Sequence, residues 1–128
     1  MQTLLTVLIV DDNKADSTLL GRYLNKLSLW KIDHVACVSG EDALSHIHRE
    51  DRDVIFVDYQ LGKETGIDVI RLLKKAESKA SFILLTGMGD KQTVIAALRE
   101  GADDYLTKDE LSSDLLDRSL HNVMEQKR

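Results

Sequence analysis

The chain has 128 residues, one domain's worth at roughly 150 residues per domain and enough to bury a single core. Its 17 Lys and Arg against 22 Asp and Glu leave a formal charge of −5, the wrong sign for direct nucleic-acid binding through phosphate attraction. One cysteine, Cys37, excludes an intramolecular disulfide and a thiolate metal centre, and no apolar run nears the ~20 residues of a membrane span.

Hydrophobic residues make up 43% of the chain and aromatics 5%, which suits an aliphatic core of sheet covered by helices. No proline is present, so no proline cis bond is available as a fixed turn. The N-terminus lacks the basic-then-apolar shape of a signal peptide, and the expected location is the cytoplasm. The first apolar run, Leu4–Val10, reads as a strand, and Leu20, Leu24 and Leu27 form the stripe of a first helix. Ile32–Val38 is the second strand, with Trp30 expected to pack between it and the first helix. Ser39-Gly40-Glu41-Asp42 fits a capping box opening a helix that faces inward through Ala43, Leu44 and Ile47. Val54–Val57 follows as the third strand, then a second capping box, Thr65-Gly66-Ile67-Asp68, before Val69, Ile70 and Leu73. Phe82–Leu85 is the fourth strand; Val94, Ile95, Ala97 and Leu98 mark a helix that stops at Gly101. Asp104–Thr107 is the fifth strand, and Leu116, Leu120, Val123 and Met124 line the last helix.

Strand starts at Leu4, Ile32, Val54, Phe82 and Asp104 lie 28, 22, 28 and 22 residues apart, leaving room for one helix in each interval. Such alternation predicts a doubly wound (βα)5 fold with a five-stranded parallel sheet, flavodoxin-like in class. Strands one, three and four are nearly unbroken aliphatic runs, as burial on both faces demands. The second carries Asp33 and His34 and the fifth Asp104, preceded by Asp103, so these belong at the edges. The order 2-1-3-4-5 satisfies this, and ligands then bind at the carboxyl ends of strands one and three.

Those ends carry the chemistry. Strand one finishes in Val10-Asp11-Asp12-Asn13 and strand three in Val57-Asp58-Tyr59-Gln60. Two unit charges ~4 Å apart repel by about 4 kcal/mol at an effective dielectric near 20, so three gathered carboxylates point to a cation. Oxygen-only ligands with room for water favour Mg²⁺. Strand four delivers the Thr86 hydroxyl to the same edge, and strand five the Lys108 ammonium. Acid pair, single aspartate, hydroxyl and lysine together suit a phosphoryl group held on a metal. Either Asp11 or Asp12 taken alone could instead be a cap for the first helix. The four histidines show no metal spacing, and Cys37 reads as a small core residue.

Over essentially its whole length the sequence resembles a receiver domain of two-component response regulators, similar to the chemotaxis regulator. The resemblance rests on Val7-Leu8-Ile9-Val10-Asp11-Asp12, on Asp58, on Thr86-Gly87, and on Gly101-Ala102-Asp103-Asp104-Tyr105-Leu106-Thr107-Lys108. It implies that Asp58 accepts a phosphoryl group from a histidine kinase or a histidine phosphotransfer protein. It further implies Mg²⁺ ligation by Asp12, by Asp11 mainly through water, by Asp58, and by the backbone carbonyl of Gln60. Lys108 would pair with phosphoryl oxygens, Thr86 would swing toward them, and Tyr105 would turn into the vacated space. The altered surface of helix 4, strand 5 and helix 5 is where family members contact downstream effectors or form homodimers. Residues 1–128 read as one receiver domain, with 121–128 resembling the start of a linker toward an output domain in multidomain relatives.

Two features depart from the usual receiver pattern: Asp109 replaces the proline that follows the lysine, and the segment after the acceptor lacks Met-Pro. Met88, two past Thr86, offers no polar group to position an attacking water, so slow loss of the phosphoryl group is expected. A pseudo-receiver that is never phosphorylated remains the main alternative reading. An aspartate-nucleophile phosphatase wants a second Asp where Gln60 stands, and an FMN carrier would need a phosphate-cradling loop where Asp11-Asp12 stands. The expected role is that of a signalling phosphoacceptor rather than an enzyme.

Overall fold

The computed structural model describes residues 2–87 and 91–127. In chain order its elements are β1 (Thr3–Val10), α1 (Lys14–Asn25), β2 (Trp30–Cys37), α2 (Gly40–Arg49), β3 (Val54–Asp58), β4 (Gln60–Leu61), β5 (Glu64–Thr65), α3 (Gly66–Lys75), β6 (Ser81–Thr86), α4 (Lys91–Arg99), β7 (Asp104–Thr107), a 3-10 turn (Lys108–Glu110) and α5 (Ser113–Gln126). Five strands form a parallel sheet in the order β2-β1-β3-β6-β7. This is the expected 2-1-3-4-5 arrangement and the doubly wound flavodoxin-like fold. The two-stranded antiparallel hairpin β4–β5 is an addition that the periodicity did not foretell. No helix among the described residues is long and apolar enough to cross a membrane.

Successive strand residues point to opposite faces, and this divides the core in two. Leu8, Val10, Ile55, Val57, Phe82 and Leu84 face Ala43, Ile47, Val69, Ile70, Leu73 and Ala97 of α2, α3 and α4. Val7, Ile9, Phe56, Ile83 and Leu85 face Leu20, Leu24, Leu116, Leu120 and Val123 of α1 and α5. Residues 54–58 of β3 and 81–86 of β6 are buried throughout, as central parallel strands require. Each such Leu, Ile or Phe contributes about 1.5–3 kcal/mol of burial, so the sheet is a stiff base for whatever stands at its rim.

Local signals behave as the chemistry of helix ends requires. Thr65 completes a reciprocal capping box with Asp68, whereas Ser39 makes only the forward half, accepting from the Asp42 N–H. Gly101 has φ +111°, a conformation that side chains strain to adopt. At the edges, Asp33 is exposed, but the acids near β7 are structural: Asp103 accepts the Phe82 N–H at 2.8 Å and Asp104 the Ser119 hydroxyl at 2.6 Å. Trp30 packs against the core cluster that holds Leu20, Leu24 and Leu27. It opens β2, and its indole N–H donates to Asp117 on α5 at 3.2 Å, because a half-buried indole needs an acceptor and α5 supplies one.

Candidate functional site

The strand ladders end together at the carboxyl rim. Val10 lies opposite Cys37 and Val57, Asp58 opposite Leu85, and Thr86 opposite Thr107. Asp11, Asp58, Thr86 and Lys108 therefore emerge side by side although they are far apart in sequence.

Beyond β1, the Asp11 N–H donates to the Cys37 carbonyl at 3.0 Å, and one Asp11 carboxylate oxygen accepts the Asn13 N–H at 2.9 Å. Asn13, not an aspartate, caps α1 by accepting from the Asp16 N–H. This disposes of the reading of Asp11 or Asp12 as helix caps. Asp11 is 2% exposed, while Asp12 is open to solvent.

Asp58 ends β3 and is 7% exposed. The following residue is held from both sides: the Tyr59 N–H donates to the Leu85 carbonyl at 2.8 Å, and the Tyr59 carbonyl accepts from the Gly66 N–H at 2.7 Å. Gly66 packs so tightly that a Cβ there would stand 2.6 Å from the Asp58 carbonyl oxygen. The sequence places Gly66 in a capping box; that it is also the backstop of Asp58 depends on the β4–β5 hairpin folding the chain back.

One carboxylate oxygen from each of Asp11, Asp12 and Asp58 lies within 4.8 Å of the other two. The Lys108 Nζ reaches among them from the end of β7, 2.8 Å from Asp16 Oδ2, 2.9 Å from Asp11 Oδ2 and 3.3 Å from Asp58 Oδ1. Asp16 is the participant that sequence reasoning missed. An acid in the first turn of a helix reads as a partner of the helix dipole, and no linear spacing aims it at Lys108.

Burial, then the charge of Asp11, pushes the Asp58 carboxyl up to about 6, against the pull of Lys108 and with a further push from Asp12. Burial works to lower the Lys108 ammonium, but hydrogen bonds to Asp16 and Asp11 and the charges of Asp11 and Asp58 outweigh it and raise it. Three carboxylates thus contact one ammonium, with Asp12 a fourth acid beside them. The donors are all oxygen, and Asp12 opens to solvent, so the set suits a hard, partly hydrated cation. Thr86 supplies a second sign of a missing partner: the residue is 2% exposed, and its hydroxyl is buried without a hydrogen-bond partner among the described residues. An orphaned buried hydroxyl costs about 1–3 kcal/mol, which an incoming oxygen ligand would relieve.

Asp12, Asp58, Gln60, Thr86 and Lys108 line one open groove of about 1090 Å³. Tyr105 stands on β7, 41% exposed, turned out rather than in. Ile95 and Leu98 of α4 are likewise 44% and 45% exposed. Met88, to which slow phosphoryl loss was ascribed, lies outside the described residues.

The response regulator receiver domain family model matches residues 7–119. The chain is 32% identical over 102 residues to the alkaline phosphatase synthesis transcriptional regulatory protein PhoP of Bacillus subtilis, covering 80% of this chain and 41% of that protein. It is 32% identical over 100 residues to the regulatory protein LuxO of Vibrio cholerae, covering 78% of this chain and 21% of that protein. The chain thus spans between about a fifth and two fifths of the length of these relatives. Among solved structures, a response regulator receiver domain protein from Clostridium thermocellum superposes with a TM-score of 0.83 at 26% identity, over 96% of each chain. The chain belongs to the response regulator receiver domain family of two-component systems.

Proposed function

We propose that this chain is a phosphorylation-dependent switch in which Asp58 accepts a phosphoryl group from a phosphohistidine of a histidine kinase or phosphotransfer protein. The observation that carries the reading is the company of Asp58: a buried carboxylate beside two more acids, one lysine and an orphaned hydroxyl on a single rim. Such a set is costly for stability and fits an anion delivered together with a cation.

In the transfer an Asp58 oxygen attacks phosphorus, the P–N bond breaks, and the imidazole nitrogen keeps the bonding pair and takes up a proton. Asp11, Asp12, Asp58 and the Gln60 carbonyl would hold Mg²⁺, which when bound neutralises charge on the phosphoryl oxygens. Lys108 pairs with one of those oxygens, and the Thr86 hydroxyl donates to another once it rotates toward them. Tyr105 then turns inward, and the α4–β7–α5 face presented to an effector or a second copy changes shape. Phosphorylation adds close to two negative charges, and full switching from 1:99 to 99:1 needs ~5.5 kcal/mol of differential stabilisation. The contacts that Lys108, the Thr86 hydroxyl and a bound cation would make to the phosphoryl oxygens exist only in the phosphorylated state and are of that order.

The test is intact mass after incubation with Mg²⁺ and acetyl phosphate, with Asp58→Asn in parallel. One phosphoryl group on the wild type alone, abolished by EDTA, is the expected result. Acid-labile label on Asp58→Asn would overturn the assignment, and a wild type that takes up neither phosphoryl nor beryllofluoride would make the chain a pseudo-receiver.

A further inference from the structure

The groups around Lys108 are not equivalent, and their differences carry a consequence for how the switch is set. Asp16 Oδ2 is the nearest acid to the ammonium at 2.8 Å, and Asp58, the acceptor, is the farthest at 3.3 Å. The side chains of Asp11 and Asp58 are 1% and 10% exposed, whereas that of Asp16 is 41% exposed. A buried carboxylate that leaves the lysine gives up its compensating charge with no water to replace it. A carboxylate that already faces solvent regains water as it lets go. Asp16 is therefore the one partner of Lys108 that can release it cheaply, and it sits on α1, outside the acid triad that could hold a cation.

We infer that Asp16 is a latch: it holds Lys108 toward α1 in the unphosphorylated protein and competes with the phosphoryl oxygens for the ammonium, so that its strength sets how readily the switch turns on. The inference rests on the phosphoacceptor reading above and adds a positioning residue to it. The orphaned Thr86 hydroxyl marks where the competing oxygens arrive. The Lys108 Nζ has to lean from the Asp16 side of the groove toward them, and the Asp16 contact is the one that must open. The alternative account of Asp16 is a helix-terminal acid, favourable to the dipole of α1. That role would alter thermal stability and leave anion affinity unmoved.

Beryllofluoride, the phosphoryl mimic, is titrated with Mg²⁺ into wild type, Asp16→Asn and Asp109→Asn, the last neutralising an exposed acid next to Lys108 in sequence. Binding is read by ¹⁹F NMR at about 0.1 M and about 1 M salt, between which the Debye length falls from ~10 to ~3 Å. The ¹⁵N signal of the Lys108 ammonium is recorded separately, without metal or anion. Asp16→Asn should bind beryllofluoride about fivefold more tightly, equivalent to about 1 kcal/mol, and keep most of that gain at high salt. Its Lys108 ammonium should exchange faster with solvent than in the wild type. Asp109→Asn should change affinity by less than about twofold and lose even that at high salt, as a screened surface charge does. Equal affinity of wild type and Asp16→Asn, or a gain matched by Asp109→Asn, would overturn the latch while leaving the phosphoacceptor reading intact. A wild type that binds no beryllofluoride would overturn the phosphoacceptor reading itself, and the ammonium signal would still decide whether Asp16 holds Lys108. Asp16 is half-exposed on its helix, and a thermal melt confirms that each variant is folded.

Discussion

Removing the charge of Asp58 should make the metal-free protein more stable. The native carboxyl is pushed from 3.8 up to about 6 by burial and by the neighbouring charge of Asp11. At ~1.36 kcal/mol per pKa unit, ionising it at neutral pH costs the native state at most about 3 kcal/mol. Asp58→Asn keeps the volume and removes the repulsion. It loses the 3.3 Å contact to Lys108, which retains Asp11 and Asp16. We expect a gain on the order of 2 kcal/mol at pH 7 without metal, roughly a 7 °C rise in Tm for a chain of this size. The native carboxyl holds its proton to about pH 6 and the unfolded one releases it near 3.8, so rising pH removes wild-type stability across that window. The advantage of Asp58→Asn is accordingly full above pH 6 and fades as the pH falls toward 4. Added Mg²⁺ should narrow the gap from the other side, by binding and stabilising the wild type. Denaturant titrations of both proteins at a series of pH values, with EDTA or Mg²⁺, measure all of this. An asparagine variant less stable than wild type at pH 7, or a gain that persists unchanged at pH 4, would refute the electrostatic argument.

Three further expectations follow from single contacts. Gly66→Ala forces a methyl to within 2.6 Å of the Asp58 carbonyl oxygen, so it should cost at least about 2 kcal/mol in a urea melt and slow phosphorylation by acetyl phosphate. Lys108→Ala should leave Mg²⁺ affinity, followed by calorimetry, nearly intact or improved, because it removes a competing cation, and should impair the change at Tyr105 seen by NMR on adding beryllofluoride. Burial first, then the charge of Asp42, raises the Cys37 thiol from 9.0 to about 12; native protein should thus resist iodoacetamide at pH 9 while the unfolded chain reacts, and stability should decline as the pH rises above 9.

The sheet was legible because its central strands must be apolar on both faces and its edges need not be, which alone orders Asp33 and Asp104 to the outside. The site was legible where chemistry coincides with strand ends, as at Asp11, Asp58, Thr86 and Lys108. What escaped had no linear signature. Strands of two residues such as Gln60–Leu61 carry no periodicity, so the hairpin that brings Gly66 behind Asp58 was invisible. Asp16 looks like any acid in a first helical turn, and Trp30 could not announce that its acceptor is Asp117, on a helix at the far end of the chain.

The support of Tyr59 from both sides, with Gly66 pressed against the carbonyl of Asp58, has a mechanical meaning. If Asp58 is the phosphoacceptor, its main chain is an anvil: wedged between β6 and the first turn of α3, it would have nowhere to recoil when a bulky dianion is fastened to the side chain. On that reading the strain would be taken up across the groove, at the end of β6 and along β7, where among the described residues the Thr86 hydroxyl lacks a partner and Tyr105 is partly exposed. A phosphoacceptor built this way would convert a covalent change at a fixed point into motion at another face, because one wall is made unable to yield.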